Sequence, residues 1–314
     1  MRALRLTTTA LSVAFYLMAF GQQSIEFSQY TLNLKASNPA TVGANDMINV
    51  LGTFRSQYAG FENAPITYYV SADIGFNIKK TKHGAGLAFY DNIVGLYRYQ
   101  DVNLMYAYRI PIKDGHLACG ILVDFSTTSI DKEKSNIGDI KSEYHDSGDP
   151  ALNGALNDFK MDLGAGVSFI NPKWYAGISL INILQPKYQI TEKMSFKRKM
   201  NLKFLGGYNF SFNNPLYKLK TYAMINTDFV TCTGQIGANL EYKESYWGGL
   251  AYRINGAVVF MAGVRVLNGL VIGYSFDLPT SKLIKSAGCH EIILSYSFNI
   301  DLSKKNKYKS IRYL

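Results

Sequence analysis

The chain has 314 residues, enough for one large domain and little more. Its formal charge is +10, from 33 Lys and Arg against 23 Asp and Glu, but no basic-aromatic stripe or nucleic-acid motif accompanies that excess. Nucleic acid is therefore set aside as a partner; acidic lipid headgroups, or an acidic protein, fit the charge better.

Residues 1–21 read as a signal peptide. Arg2 and Arg5 form a basic start, Ala10 to Phe20 an apolar run too short to span a bilayer, and Ala19-Phe20-Gly21 a small-residue cleavage region. Without those two arginines the charge is +8. No Cys follows the cleavage region, as a lipoprotein would need, and no later stretch of about twenty apolar residues offers a membrane helix. Residues 22–46 hold Phe27-Ser28-Gln29-Tyr30 and Asn38-Pro39-Ala40. They are too polar to span and too apolar for plain linker, so they predict a plug inside a barrel, a cover over its periplasmic mouth, or a loose N-terminal arm.

From Met47 the pattern changes to a period of two. Ile66, Tyr68, Val70, Ala72, Ile74 and Phe76 fall on one face; so do Leu117, Cys119, Ile121, Val123 and Phe125, and Phe159, Met161, Leu163, Ala165, Val167 and Phe169. Near the C-terminus Leu270, Ile272, Tyr274, Phe276 and Leu278 repeat the theme, as do Ile292, Leu294, Tyr296 and Phe298. Apolar-out, polar-in strands of about ten residues signify a transmembrane β-barrel. The mean hydropathy near zero agrees, because the two faces average out. Aromatics make up 14%, with 23 Tyr and 18 Phe against 2 Trp, which suits interfacial girdles.

Fourteen strands are expected across 47–298, centred near Val50, Val70, Leu87, Leu104, Ile121, Leu163, Ile178, Phe204, Ala223, Ala238, Leu250, Phe260, Ile272 and Leu294. The last closes on the first, leaving no open sheet edge in lipid. Connections after even strands are all short, for example Lys113-Asp114-Gly115 and Asn213-Asn214-Pro215. The long ones, Ser129–Asn157, Ile183–Phe196 and Pro279–Gly288, follow odd strands. That parity fits short periplasmic turns and longer outer loops. The predicted fold is thus all-β, a 14-stranded antiparallel transmembrane β-barrel with an N-terminal plug, resembling the long-chain fatty-acid transporters.

Charged residues at lumen-facing positions form the candidate interior network: Arg55, Asp73, Arg109, Asp124, Asp162, Arg253, Arg265, Asp277 and Glu291, with Lys160, Lys199, Lys203 and Asp228 beside them. Their mixed signs predict a cross-linked, filled interior rather than an ion-selective ring. The Ser129–Asn157 loop is either a binding surface or a solvated loop. Residues 299–314 form a basic tail, with Lys304, Lys305, Lys307, Lys309 and Arg312 against Asp301. It is either a periplasmic docking arm or a solvated charged tail. Cys232 and Cys289 map near one rim and are either disulfide-linked or free thiols. His83, His116, His145 and His290 lack metal-ligand spacing, and no G-x-S-x-G elbow or phosphate-cradling loop occurs. No catalytic, cofactor or metal residues are assigned, and an enzyme is not expected.

Several separated stretches carry a family resemblance. They are Phe27-Ser28-Gln29-Tyr30 with Asn38-Pro39-Ala40; Arg55-Ser56-Gln57-Tyr58-Ala59-Gly60-Phe61-Glu62-Asn63-Ala64-Pro65; Tyr106-Ala107-Tyr108-Arg109-Ile110; Tyr175-Ala176-Gly177-Ile178-Ser179-Leu180; and Tyr274-Ser275-Phe276-Asp277 through Ser286-Ala287-Gly288-Cys289-His290-Glu291. In order and spacing the chain resembles the PorP/SprF outer-membrane proteins of the type IX secretion system of Bacteroidota. It departs at Thr41-Val42-Gly43, where the family often has Tyr-Ala-Gly, and in its longer basic tail. The resemblance implies a role in protein secretion or gliding motility. Its implied partners are the periplasmic ring and lipoprotein subunits of the machine and the C-terminal domains of secreted cargo. Two other functions stay open on the residues alone: an outer-membrane uptake channel for a small hydrophobic solute, and a surface adhesin built on the Ser129–Asn157 loop.

Overall fold

The computed structural model describes residues 26–130, 158–189, 195–254, 256–266, 269–280 and 282–299. The expected signal-peptide region, most of the Ser129–Asn157 loop with His145, and the tail with Lys304, Lys305, Lys307, Lys309 and Arg312 lie outside the described residues.

The described residues form sixteen strands: β1 (Ile48–Ser56), β2 (Ile66–Ile78), β3 (Thr81–Val94), β4 (Tyr97–Ile112), β5 (Gly115–Ile130), β6 (Asp158–Ile170), β7 (Trp174–Ile181), β8 (Lys187–Gln189), β9 (Ser195–Lys197), β10 (Asn201–Ser211), β11 (Tyr217–Thr227), β12 (Cys232–Tyr242), β13 (Tyr246–Arg253), β14 (Ala257–Val266), β15 (Leu270–Pro279) and β16 (Cys289–Phe298). Fourteen of them form one closed barrel in which every pair is antiparallel; β8 and β9 make a separate hairpin in the connection between β7 and β10. All fourteen expected centres fall in barrel strands. The barrel closes through β1 and β16, from Ile48 opposite Phe298 to Ser56 opposite His290. The connection Ile183–Phe196, expected as plain loop, instead holds the small hairpin.

Alternation sets the two faces. On β2, Thr67, Tyr69, Ser71 and Asp73 are buried, while Tyr68, Val70, Ala72 and Ile74 are exposed. The largest outward aliphatics leave about half their surface bare, as with Val70 (53%), Ile121 (57%) and Leu250 (59%). In water such a surface would aggregate; in a bilayer it meets acyl chains. Aromatic pairs mark both boundaries. Phe169–Trp174, Tyr208–Phe210 and Tyr217–Tyr242 lie at the short-turn end; Phe54–Tyr68 and Phe125–Phe159 lie at the long-loop end.

Residues 26–46 run down inside the barrel from the long-loop end to the short-turn end, where β1 begins. They fold as three 3-10 turns, Tyr30–Leu32, Leu34–Ala36 and Pro39–Thr41. Asn38 caps the third, its side chain accepting the Ala40 N–H, and Pro39 takes the first position, where its missing N–H costs nothing. The wall makes room with glycine. A Cβ on Gly120 would meet Ala40 N at 2.3 Å, and one on Gly84 would meet the Val42 carbonyl oxygen at 2.0 Å. At these points only glycine lets two backbones touch.

Candidate functional site

The plugged lumen holds a ladder of ion pairs. At the long-loop end Arg55, fully buried on β1, donates to Glu291 Oε2 (2.9 Å) and Asp277 Oδ2 (2.7 Å) on the last two strands. Arg253 on β13 joins at Asp277 Oδ2 (2.8 Å). The plug's Ser28 hydroxyl sits at the centre. It accepts from Arg55 (2.6 Å) and Arg253 (2.9 Å) and donates to Asp277 (2.7 Å). Glu291 in turn accepts the backbone N–H groups of Ser28 and Gln29. Two guanidinium groups thus balance two carboxylates, and every acidic group also receives a plug hydrogen bond. Paired in this way, buried charges are tolerated.

Midway down, Tyr30 meets the edge of Tyr222, with centroids 5.4 Å apart, and Phe27 packs on Tyr69 and Tyr90. Asn38 donates to the Val167 and Ile178 carbonyls of neighbouring strands, at 3.0 and 3.2 Å. Below that, plug Lys35 pairs with Asp73 at 2.5 Å, and Asp73 also accepts from Gly43 N–H and Asn49. At the short-turn mouth Asp46 takes Arg109 and, at 2.6 Å, Lys82. Burial alone would raise the Asp46 pKa, but hydrogen bonds from Lys82 and Arg109 hold it below the usual carboxylate range.

A second acidic cluster lines the long-loop mouth. Arg198, just after β9, bridges Asp124 (2.8 Å) on β5 and Asp101 (3.0 Å) on β4. Asp162, across from Asp124 in the register, caps the Leu163 and Leu184 N–H groups.

Comparison with known proteins decides the family. The model of the type IX secretion system membrane protein PorP/SprF matches residues 19–296. The chain belongs to that family. This PorP/SprF protein is therefore an outer-membrane component of the type IX secretion system. No curated protein sequence matches it. Similar solved structures include the CymD monoaromatic hydrocarbon channel, at 12% identity and TM-score 0.48 over 91% of this chain and 95% of that one. A Pseudomonas aeruginosa FadL homologue is similar at 9% identity and TM-score 0.45, over 89% and 95%. Acinetobacter baumannii Omp33 is similar at 8% and 0.45, over 82% and 99%.

Within the PorP/SprF barrel the charges expected in the lumen all stand on inward positions or at the rim, but they fall into separate groups. Arg55, Arg253, Asp277 and Glu291 share one cluster. Asp73 and Arg109 hold the lower plug, Asp124 and Asp162 lie at the outer mouth, and Arg265 pairs with Glu241 at 3.3 Å. Lys160 pairs with Asp158, and Lys199 with Asp228. Sequence reasoning missed the plug's partners, Glu26, Ser28, Lys35 and Asp46, and the mouth's Asp101 and Arg198. One signal was available for the plug: glycines crowd the inward positions of β3, β5, β6 and β7, at Gly84, Gly86, Gly120, Gly164, Gly166 and Gly177. Cys119, Cys232 and Cys289 are free thiols; Cys119 is exposed on the lipid face and Cys289 accepts the Tyr58 N–H. Ser275 faces the lumen and His290 the exterior, so they do not approach as a nucleophile and base.

Proposed function

We propose that this PorP/SprF protein serves the type IX machine as a docking and anchoring subunit that acts through its surfaces. Its outer loops receive the C-terminal domains of secreted cargo. Its short turns and the basic tail, with Lys304, Lys305, Lys307, Lys309 and Arg312, meet periplasmic ring and lipoprotein subunits. The supporting observation is the occupied lumen. Arg55, Asp277, Glu291 and Arg253 hold the plug at one end, and Lys35 with Asp73 hold it toward the other. A polypeptide is not expected to pass through the lumen. An uptake channel needs a continuous apolar passage, and an ion-paired polar interior speaks against one.

The test is affinity purification of the tagged full-length protein from detergent-solubilised outer membrane, beside a variant lacking residues 303–314. Recovery of periplasmic secretion lipoproteins with the full chain and their loss with the truncated one supports the reading. Full-length protein that brings down no secretion component, or cargo that reaches the surface normally in its absence, contradicts it.

A further inference from the structure

Between Asn182 and Met200 the chain leaves the barrel wall and returns to it. β7 is only 8 residues long beside the 13 of β6, and their pairing stops at Ala165 opposite Leu180. The departure is strained: Asn182 and Gln185 hold φ of +57° and +51°. The excursion carries the β8–β9 hairpin into the outer mouth. Tyr188 is fully buried there, its hydroxyl hydrogen-bonded to Ser126, its ring stacked on Phe196 at 5.0 Å and facing the Arg198 guanidinium at 5.4 Å.

Four carboxylates from β4, β5 and β6 hold this segment, and they do so in two ways. Asp124 and Asp101 take the Arg198 guanidinium. Asp162 and Asp158 take backbone N–H groups, from Leu184 at 2.9 Å and Gln189 at 2.7 Å. The site therefore reads main-chain N–H groups and a cation together. In sequence, residues 187–199 carry Lys187, Lys193, Lys197, Arg198 and Lys199 against Glu192 alone. The facing wall carries four Asp against Lys160. The acidic side is also incompletely answered. Asp124 and Asp162 stand directly opposite each other, 4% and 0% exposed, and Asp124 Oδ1 and Asp162 Oδ2 have no hydrogen-bond partner among the described residues. Like charges so placed repel unless a cation or a proton joins them.

We propose that this acidic wall is a binding site for a basic, extended polypeptide segment arriving from outside, and that the β8–β9 hairpin with Arg198 is its resident occupant. The partner displaces the hairpin, which swings at Asn182 and Gln185, and its own cation takes the guanidinium's place between Asp101 and Asp124, beside Asp162. Charge complementarity and the paired main-chain acceptors favour a peptide over a bare ion. The inference concerns what the mouth recognises, not which machine the barrel serves, so its failure would leave the docking role standing.

The experiment uses full-length protein purified in detergent and a fluorescent synthetic peptide of residues 186–199, with a control peptide in which every Lys and Arg is Gln. Removing the resident guanidinium by Arg198→Ala should tighten binding of the basic peptide at least about tenfold, since charge-assisted hydrogen bonds are worth about 1.5–3 kcal/mol and 1.4 kcal/mol is tenfold. Binding should weaken with salt, ignore the control peptide, and vanish when Asp124→Asn and Asp162→Asn are added. If Arg198→Ala does not fold, Arg198→Gln, which keeps a long polar side chain without the charge, takes its place. The same tightening is expected of that variant. Equal affinity for wild type and the variant without the Arg198 charge, binding that survives loss of both aspartates, or saturable Ca²⁺ uptake with no peptide binding would each overturn the proposal.

Discussion

Arg55 offers the sharpest perturbation of the plugged interior. Its guanidinium makes two ion pairs, 2.7 Å to Asp277 and 2.9 Å to Glu291, and a third bond to Ser28 of the plug, with every partner buried. Arg55→Met keeps the stem and removes the charge. Asp277 retains Arg253, but Glu291 keeps only two backbone N–H donors and an uncompensated charge. Breaking a buried pair in this way costs about 3–5 kcal/mol. With a denaturant slope of about 2 kcal/mol per molar urea, the unfolding midpoint in lipid vesicles should fall by about 1.5–2.5 M. Adding Glu291→Gln removes the stranded charge but keeps an acceptor for Ser28 and Gln29. The double variant should recover about 1–3 kcal/mol relative to the sum of the singles. Urea titrations followed by tryptophan fluorescence and heat-modifiable gel migration supply the numbers. A single-variant loss below about 1 kcal/mol, or strict additivity of the pair, would refute the claim that this cluster fastens the plug to the wall.

Three further outcomes are expected. Gly120→Val should drive the plug from the wall, because even a Cβ at this position lies 2.3 Å from Ala40 N; limited proteolysis should then cut within residues 26–46 while the barrel stays intact. Cys119, exposed on the outward face of β5, should react in membranes with an apolar maleimide and resist a charged, membrane-impermeant one; the reverse order of reactivity would place it in water. Asp46 titrates below an ordinary carboxylate because Lys82 and Arg109 stabilise its charge against the effect of burial. Its contribution is therefore present above the unfolded-state pKa of about 4 and is lost as pH falls through the lower folded value. Asp46→Asn should flatten that acid-limb loss of stability in urea titrations at several pH values, and an unchanged acid limb would contradict the assignment.

The barrel could be read from the chain because a membrane wall writes itself locally. Each strand must show lipid one face and the lumen the other, so Val70 beside Ser71, or Leu294 beside Ile293 and Ser295, already fixes the period and the direction of each side chain. Turn length then fixed the parity, and parity the strand count. The interior contacts were another matter. Arg55 and Glu291 are far apart in the chain and meet because β1 pairs with β16 in one register. The alternation places both inside without saying that they touch. Lys35 sits in a stretch whose path is set by inward glycines on β3, β5, β6 and β7, a three-dimensional groove with no local period. Arg198 was hidden more deeply. It follows two strands of three residues each, too short to alternate, in a connection that otherwise resembles any polar outer loop.

With its own N-terminal segment seated inside the barrel, this PorP/SprF protein is proposed to work by presenting surfaces. Planar-bilayer recording tests it most directly. Full-length protein should show no steady porin-like conductance, whereas a variant lacking residues 26–45 should open in discrete, lasting steps. Stable open channels from the full-length protein, or a deletion variant that inserts and folds yet stays silent, would contradict it.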